Sequence, residues 1–378
     1  MHTPTSYSGA PKICIYCDVW AQGGIETFIA NYLTHTEATD LRYTVVCSEK
    51  RASRLDSRLA ERGFSVRPMQ DEADIGAAKH TLKSFFPLLR LCRDERFDIV
   101  HLNIFNAFSF LLVLAAKLGG AKNVIVHAHG SGLRKSRGYL VKYLVHYFFC
   151  LLFYFGRFQR WAASEKAAGF LFLNRKATTI CNGIDAKSFR FDPSTRDAVR
   201  KSYGIGERRV MACVGRMDSQ KNQAFTLELL SELIKRDPTY YLLLIGDGED
   251  RAALEEKASG LHLDGFVRFC GVCNNVNQLL SAADILLIPS FSEGLSITAI
   301  EGQAAGLPVI CSDGVPEEVR LCDSLKYIPL KKKEAWLNEI ENTLMPDRVL
   351  CNDIVKSSKF DIGKSAESIN DHYRSICF

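Results

Sequence analysis

Signals of a membrane span or of a nucleic-acid partner are missing from this sequence of 378 residues. No apolar run reaches the roughly 18 to 20 residues that a membrane-spanning helix needs. No sustained run of Lys and Arg with interleaved aromatic residues is present, and the net charge is only +5. We therefore expect neither a transmembrane helix nor nucleic-acid binding.

Signals for export and for metal binding are also scarce. The opening residues, MHTPTSYSGAPK, contain no apolar h-region, so we expect no secretory signal and thiols that stay reduced. Among the 13 cysteines, Cys14/Cys17 and Cys270/Cys273 form C-x-x-C pairs, but both pairs lie in strand-like apolar runs. Zinc sites normally have knuckle loops around such pairs, so buried thiols are favoured over a shared zinc site.

Strand-like apolar runs alternate with helical patterns along the whole chain. The runs are KICIYCDV, YTVVCSE, DIVHLNI and NVIVHAH in the first half, and RVMACVGR, YYLLLIGDG, VRFCGV, DILLIPS and LPVICSD in the second. Continuous apolar strands are typical of parallel sheets that are buried on both faces. The alternation, repeated in each half, predicts two doubly wound α/β domains.

The polar stretch CNGIDAKSFRFDPSTRD, residues 181–197, has turn residues and no clear periodicity. It predicts the join between a domain of residues 1–183 and a domain of residues 184–357, and residues 358–378 are predicted to contain a terminal helix. Ligands of open α/β sheets bind beyond the carboxyl ends of the strands. Two such sheets facing each other would form a deep cleft.

Glycines and histidines follow two of the predicted strands in the first half. Gly23 and Gly24 open a helix, where the backbone can approach a ligand closely and the helix N-terminus favours anions, although a plain tight turn explains them equally well. No G-x-G-x-x-G dinucleotide fingerprint is present. His127 and His129 share one strand face, as structural residues or as a metal pair, but no local acidic or cysteine ligand favours metal.

Charged residues follow two predicted strands in the second half. Arg216 and Lys221, in GRMDSQKN, can converge on one phosphate group across a turn, although this motif by itself favours a solvated loop. Glu293 and Glu301 lie in FSEGLSITAIEGQAAG, residues 291–306, among small and apolar residues. Carboxylates kept in such a place can accept paired hydrogen bonds from vicinal hydroxyls, such as a ribose diol.

A loop through Gly294 and a short helix from Ser296 to Ala305 are predicted between and around these two glutamates. The backbone N–H groups of Leu295, Ser296 and Ile297 would point out of the first turn of that helix and offer donors to a phosphate.

The stretch of residues 134–161 is apolar and aromatic, with cations at both ends. It is interrupted by Lys142 and His146, and its flanking cations are Arg134, Lys135, Arg137, Arg157 and Arg160. One interpretation is a core helix with a basic end. The other is a helix that lies in a membrane surface, with its cations toward anionic head groups.

These motifs together resemble the family 4 retaining glycosyltransferases, which have the GT-B architecture of two Rossmann-like domains facing across a cleft. The residues that carry the resemblance are GGIE, DIVHLN, HAHG, CNGID, VGRMDSQKN, LLLIGDGEDRAALEE, VRFCGV, ADILLIPSFSEG and EGQAAGLPVICSD. The resemblance implies that residues 1–183 bind the acceptor and residues 184–357 bind a nucleotide-sugar. It also implies that the terminal helix packs back on the N-terminal domain.

Roles for the second-domain residues follow from the same resemblance. Arg216 and Lys221 would hold the donor diphosphate, with help from the amides of Leu295–Ile297. Glu301 would bind the ribose, and Glu293 would contact hydroxyls of the transferred sugar. No D-x-D-like motif in a suitable loop indicates a required metal.

The remaining roles fall on residues at other strand ends. Val272 would contact the base through its backbone, and Gly23 and Gly24 would face the phosphates. His129, with His127 as second choice, would contact the 6-hydroxyl of the sugar. The predicted catalytic residues are His129, Glu293, Arg216 and Lys221.

One departure from the family pattern is EGLS, where E-G-F-G is frequent, so Ser296 replaces a glycine. A subset with E-G-L-P, which builds capsule and exopolysaccharide repeats, is more similar to this chain. The change leaves the phosphate-binding amides in place and alters side-chain contacts at residue 296.

The resemblance implies a retaining enzyme that needs no metal or other cofactor and works at the cytoplasmic face of the membrane. It would move a hexose or N-acetylhexosamine from a UDP-sugar to a lipid-linked glycan for surface polysaccharide. The alternatives are a GDP-mannose-dependent mannosyltransferase, a non-catalytic carbohydrate-binding protein of the same fold, and a related two-domain sugar-nucleotide epimerase.

Overall fold

The computed structural model describes residues 9–21, 23–51, 53–69, 77–130, 132–133 and 138–378. These residues divide into two compact units. The first contains the described residues up to Gly183 together with Ile362–Phe378, and the second is Ile184–Asp361. Arg134, Lys135 and Arg137, which were predicted to flank a surface helix, lie outside the described residues.

The first unit is built on a parallel sheet of seven strands in the order β3-β2-β1-β4-β5-β6-β7. Its strands are β1 (Lys12–Trp20), β2 (Arg42–Lys50), β3 (Val66–Pro68), β4 (Ile99–Ile104), β5 (Asn123–Ala128), β6 (Gln159–Ala162) and β7 (Thr178–Thr179). The helices along this part of the chain are α1 (Gly24–His35), α2 (Leu55–Ala60), α3 (Ala77–Glu95), α4 (Leu111–Leu118), α5 (Tyr139–Leu152) and α6 (Glu165–Phe172).

The second unit has a parallel sheet of six strands in the order β10-β9-β8-β11-β12-β13. Its strands are β8 (Arg209–Val214), β9 (Tyr240–Ile245), β10 (Val267–Gly271), β11 (Ile285–Ile288), β12 (Val309–Cys311) and β13 (Leu325–Tyr327). Its helices are α7 (Pro193–Ser202), α8 (Gln223–Arg236), α9 (Arg251–Gly260), α10 (Val276–Ala282), α11 (Ile297–Ala304), α12 (Lys333–Asn342) and α13 (Arg348–Ser357).

Burial of both sheet faces explains why the strands are continuous apolar runs. In β4, Val100 and Leu102 belong to one core, while Ile99 belongs to a second core on the opposite face. All six residues of β9, YYLLLI, are buried. The predicted fold class of two parallel-sheet α/β domains is therefore confirmed.

Strand order reverses once in each sheet, and each reversal marks a place where a ligand can bind. In the first sheet β1 lies between β2 and β4, and in the second β8 lies between β9 and β11. The connections run to opposite sides of the sheet from such a pair and leave a crevice at the carboxyl ends of the strands. The loops after β1 and β4, and after β8 and β11, line these crevices.

The last helix, α14 (Ile362–Cys377), packs in the first unit. Ile369 and Tyr373 belong to the same core as Ile13 and Trp161, and the Tyr373 ring stacks on Trp161 at a centroid distance of 5.5 Å. The Tyr32 hydroxyl donates to Asn370 Oδ1 at 2.6 Å. Residues distant in sequence thus complete this core.

Replacing Tyr373 by alanine should lower the free energy of unfolding of the first unit by about 3–5 kcal/mol, the cost of deleting a buried aromatic side chain. Tyr373 is 0% exposed, whereas Phe378 in the same segment is 75% exposed. Phe378→Ala is therefore the matched control and should change little. Urea denaturation of both variants measures the difference, and equal effects would contradict the packing described here.

Candidate functional site

A buried ion pair joins the loops that follow β8 and β11. Lys221 Nζ lies 3.0 Å from Glu293 Oε1, and the Ser290 hydroxyl donates to the same oxygen at 2.6 Å. Glu293 is only 5% exposed. A buried carboxylate is costly unless it is paired and hydrogen-bonded, so Glu293 depends on Lys221 and in turn fixes where that ammonium group lies.

Further hydrogen bonds, from backbone and side-chain donors, join the same two loops. The Phe291 N–H donates to the Gln220 carbonyl at 2.9 Å, and the Gln220 side-chain amide donates to the Ser292 carbonyl at 2.6 Å. Asn222 Nδ2 donates to the Pro289 carbonyl at 3.2 Å. The position of Lys221 relative to the β11 loop is therefore set by several hydrogen bonds in addition to the ion pair.

Asp218 binds Arg216, the other cation that was predicted for this site. Asp218 itself was not identified from the sequence. Its carboxylate accepts from Arg216 Nε at 2.7 Å and from the Lys221 backbone N–H at 3.1 Å. Asp218 is buried, whereas 64% of the Arg216 side chain is exposed. An aspartate two positions after Arg216 in GRMDSQKN is the sequence signal from which this contact could have been predicted.

Close backbone packing at the ends of β8 and β9 requires glycine. A Cβ on Gly246 would lie 2.0 Å from the Gly215 carbonyl oxygen, and Gly246 has a φ of +134°. A Cβ on Gly215 would lie 3.3 Å from Cε of Lys221. The absence of side chains here leaves room for the stem of Lys221 across the strand end.

Helix α11 begins one residue later than predicted, at Ile297, and ends at Ala304. Leu295 and Ser296 therefore precede the helix and Ile297 is its first residue. The role of these three N–H groups in phosphate binding stays a prediction. Ser296 is the N-cap residue, but its side chain makes no capping hydrogen bond. Its hydroxyl is sealed from solvent and has no partner among the described residues.

Glu301 lies on α11 in a desolvated position. Burial raises the pKa of Glu301 from its usual 4.5 to about 7, and the nearby charge of Lys221 opposes part of that rise. The ionised form is therefore costly in the unliganded protein. Hydrogen bonds from hydroxyl groups would lower that cost.

His129 and His127 lie at the carboxyl end of β5, where the predicted strand ends. His129 Nε2 is 2.9 Å from Asn103 Oδ1, and the His127 and His129 rings are 4.1 Å apart. His127 is fully buried, with Nδ1 3.2 Å from His101 Nε2. The next residue is Gly130, where a Cβ would lie 2.5 Å from the Phe105 carbonyl oxygen, so the close packing requires glycine. Asn103 was not identified from the sequence.

The other predicted site residues also lie at strand ends. Gly23 is the N-cap residue of α1 and Gly24 its first residue, and a Cβ on Gly24 would meet nothing within 4 Å. Packing therefore does not require Gly24 to lack a side chain. Val272 follows β10 and is 60% exposed.

A cavity of about 320 Å³ lies at the opposite edge of the second sheet, where β8 and β11 begin. Arg196 and Arg200 line it and both bind Asp284, at 2.6 and 2.7 Å. Both also donate to the carbonyl oxygen of Ala282. These guanidinium groups hold the end of α10, and the cavity lies far from the ion pair of Lys221.

Helix α5 exposes apolar side chains, so the core-helix interpretation of residues 134–161 is wrong. Its buried residues are His146 and Cys150. The Ala107 N–H donates to His146 Nδ1 at 3.2 Å, and His146 Nε2 then donates to the Phe170 carbonyl at 3.0 Å. The exposed side chains are Leu140, Val141, Tyr143, Leu144, Val145, Phe148, Leu151 and Leu152.

The two predicted cations beyond α5 differ in their surroundings. Arg157 is exposed. Arg160 donates to the carbonyl groups of Tyr154 and Gly156, at 3.1 and 2.9 Å, and lies over the Phe158 ring. Arg160 therefore has a structural role. No helix in the described part of the chain is long and apolar enough to cross a membrane.

No cluster of three or more His, Cys, Asp or Glu that could hold a metal ion is found in the described ranges. Cys14 and Cys17 are buried free thiols in β1, and Cys270 and Cys273 are free thiols at the end of β10.

Comparison with protein families identifies both halves of the chain. Residues 22–188 match the family described as Glycosyltransferase Family 4, and residues 208–345 match the family described as Glycosyl transferases group 1. The chain belongs to the family 4 glycosyltransferases. The resemblance predicted from the motifs is thus confirmed.

Two curated relatives are similar to this chain over part of its length. It is 31% identical over 229 residues to EpsF of Bacillus subtilis, a glycosyltransferase by name, and the match covers 59% of each protein. It is 27% identical over 251 residues to UDP-Gal:alpha-D-GlcNAc-diphosphoundecaprenol alpha-1,3-galactosyltransferase of Escherichia coli, covering 61% of this chain and 62% of that one. The chain spans less than two thirds of the length of each relative.

A solved structure shares the fold over almost the whole of this chain. HepE of Anabaena, in complex with UDP-glucose, matches with a TM-score of 0.76 and 17% identity, over 96% of this chain and 99% of that one. The GT-B fold is therefore common to both proteins.

Replacing Glu301 by glutamine should stabilise the unliganded protein at pH 8. Burial raises the folded-state pKa of Glu301 from 4.5 to about 7. The contribution of this group to the free energy of unfolding is therefore fully present below pH 4.5 and is lost as the pH rises through 7, because the buried carboxyl group must then ionise. At pH 8 the substitution should raise the free energy of unfolding by at most on the order of 3 kcal/mol. Thermal unfolding at several pH values measures it.

The control for this experiment is Glu256→Gln, which changes an exposed glutamate of the same unit. It should leave the melting temperature almost unchanged at every pH. A gain for Glu301→Gln that is equally large at pH 4.5 and pH 8 would contradict the desolvation of the carboxylate.

Proposed function

We propose that this protein is a retaining, metal-independent glycosyltransferase that moves a hexose or N-acetylhexosamine from a UDP-sugar to a lipid-linked glycan. The observation that carries the proposal is the Lys221–Glu293 ion pair at the carboxyl ends of β8 and β11. It places a fixed cation at the strand-order reversal, where open α/β sheets bind ligands.

The donor diphosphate would lie against groups that have room for an anion. Lys221 supplies a positioned ammonium group, and the exposed side chain of Arg216 can turn toward a phosphate while Asp218 stays nearby. The Ser296 hydroxyl has no partner within the described part of the chain, and the first N–H groups of α11 have no helical acceptor. All of these groups would donate to phosphate oxygens.

Glu301 would bind the ribose hydroxyls and Val272 the base. Two hydroxyl groups that donate to the Glu301 carboxylate would stabilise its ionised form, which burial disfavours in the free protein. A Cβ on Gly24 would meet nothing within 4 Å, so packing does not require a glycine there. The glycine would instead let a phosphate approach the N-terminus of α1.

Transfer with retention would proceed on one face of the sugar. The glycosidic bond to the leaving phosphate breaks through an oxocarbenium-like state while the acceptor hydroxyl attacks from the same face and gives its proton to that phosphate. Lys221 and Arg216 would stabilise the charge that develops on the leaving group. Glu293 would hold Lys221 in place and contact sugar hydroxyls.

The named ligands of relatives support the choice of donor and acceptor. The Escherichia coli relative is named for a UDP-galactose donor and a diphosphoundecaprenol-linked acceptor, and HepE was solved with UDP-glucose. These names support the proposal that this protein works in surface polysaccharide synthesis.

The exposed apolar side of α5 supports peripheral binding to the inner face of the cytoplasmic membrane, where a lipid-linked acceptor lies. Leu144 and Phe148 are both 60% exposed on this side, and Lys142 and Arg157 are exposed cations. Apolar side chains flanked by cations are typical of helices that bind anionic membrane surfaces.

UDP should raise the melting temperature of the wild-type protein more than GDP or ADP does, with or without magnesium. At a concentration of a hundred times Kd the stabilisation is about 2.7 kcal/mol. Lys221→Ala and Arg216→Ala should lose most of this shift, and each should lower the transfer rate on the order of 10²-fold or more.

The control for the nucleotide experiment is Lys235→Ala, which removes an exposed cation from the same unit and should keep the full shift. A shift with GDP alone would favour the mannosyltransferase alternative. If no nucleotide stabilises the wild type, the transferase proposal is wrong and the carbohydrate-binding alternative is favoured.

Changing Leu144 and Phe148 together to serine should weaken binding to vesicles that contain anionic phospholipid by about tenfold or more, because each removes apolar area from the contact. Leu344→Ser, at a leucine 86% exposed in the second unit, is the control. Co-sedimentation measures the bound fraction. Equal binding by both variants would remove the support for a membrane surface on α5.

A further inference from the structure

Polar side chains form a row on one face of the first sheet at its carboxyl edge. His101 and Asn103 lie two positions apart in β4, and His127 and His129 lie two positions apart at the end of β5, so each pair shares a face. Asn103 is paired with His127 in the strand register. Ile99 and Ile125 continue the row into the apolar core.

Asn103 can have only one orientation that satisfies both ends of its amide. Its Nδ2 lies 3.1 Å from the backbone carbonyl of Tyr16, a group that only accepts hydrogen bonds, so the NH₂ end must face it. The Oδ1 end then faces His129 Nε2 at 2.9 Å. An amide oxygen only accepts, so Nε2 of His129 carries the hydrogen.

The other ring nitrogen of His129 is then available as an acceptor. Nδ1 has no hydrogen-bond partner among the described residues and is not one of their sealed polar atoms. Burial lowers the pKa of His129 to about 3, so the ring is neutral and Nδ1 keeps its lone pair. The rings of Phe28 and His127, at 5.2 and 4.1 Å, hold the imidazole plane.

We propose that Asn103 is a positioning residue that fixes His129 as a hydrogen-bond acceptor, so that the first unit recognises a sugar hydroxyl by the proton it donates. The proposal rests on the glycosyltransferase function proposed above. Such a site would distinguish a group that donates a hydrogen bond from one that only accepts. A group that only accepts, such as fluorine, cannot replace the hydroxyl that meets Nδ1, because two acceptors would then face each other.

The tautomer can be measured without any substrate. In protein labelled with ¹⁵N-histidine, long-range ¹H–¹⁵N correlation at neutral pH distinguishes Nε2–H from Nδ1–H, and the signal lost in His129→Gln assigns the residue. We expect the Nε2–H form in the wild type and a mixture of both forms in Asn103→Leu. A wild-type His129 that is protonated on Nδ1 would overturn the proposal.

Two further variants separate positioning from a general structural role. Asn103→Asp keeps an acceptor oxygen opposite Nε2, so Nε2 should still carry its proton even if the leucine variant fails to fold. Asn123→Leu changes an asparagine at the other end of β5 and should leave the His129 signal unchanged. Loss of the Nε2 proton in Asn103→Asp would contradict the proposal.

The selectivity is tested by binding of UDP-glucose and its 6-deoxy-6-fluoro analogue, since the family resemblance assigns the 6-hydroxyl to His129. We expect the analogue to bind the wild type about 10- to 100-fold more weakly, and the difference to shrink in Asn103→Leu. Equal binding of both compounds to the wild type would overturn the acceptor role. If neither compound binds while the tautomer is as expected, the proposed function fails and the Asn103–His129 arrangement stands.

Discussion

The buried carboxylate of Glu293 constrains the loops at the carboxyl edge of the second sheet. Such a group needs a nearby cation, and Lys221 supplies it at 3.0 Å. Because the two residues follow neighbouring strands, the pair fixes one loop against the other, and Asp218 extends the arrangement to Arg216. The result is a set of positioned donors at the strand-order reversal, where a phosphate would be bound.

The first unit uses neutral polar groups for a comparable purpose. His101 and His127 are buried and His129 is partly buried. Desolvation lowers the pKa of His101 and of His129 to about 3, so no charge has to be neutralised there. Orientation comes from hydrogen bonds, with Asn103 between Tyr16 and His129. The charged groups of the second unit suit an anionic group, and the uncharged groups of the first unit suit a hydroxyl group.

The sequence predicted the fold well because buried parallel strands are continuous apolar runs, and the site residues lie at strand ends that such runs delimit. It did not predict Asp218 or Asn103, because their importance lies in which atoms they face, and that depends on the paired loops and strands. Periodicity also left α5 open between core and surface. His146, which interrupts the apolar run, is buried against Ala107 and Phe170, while most of the apolar residues are exposed.

Amide hydrogen exchange of the protein with and without UDP is the most direct test of whether a nucleotide diphosphate binds beside the Lys221–Glu293 pair. We expect slower exchange in two segments, residues 215–223 and 290–301, because bound phosphate and ribose would restrict the opening of these loops. Unchanged exchange there, with protection elsewhere in the second unit, would contradict it.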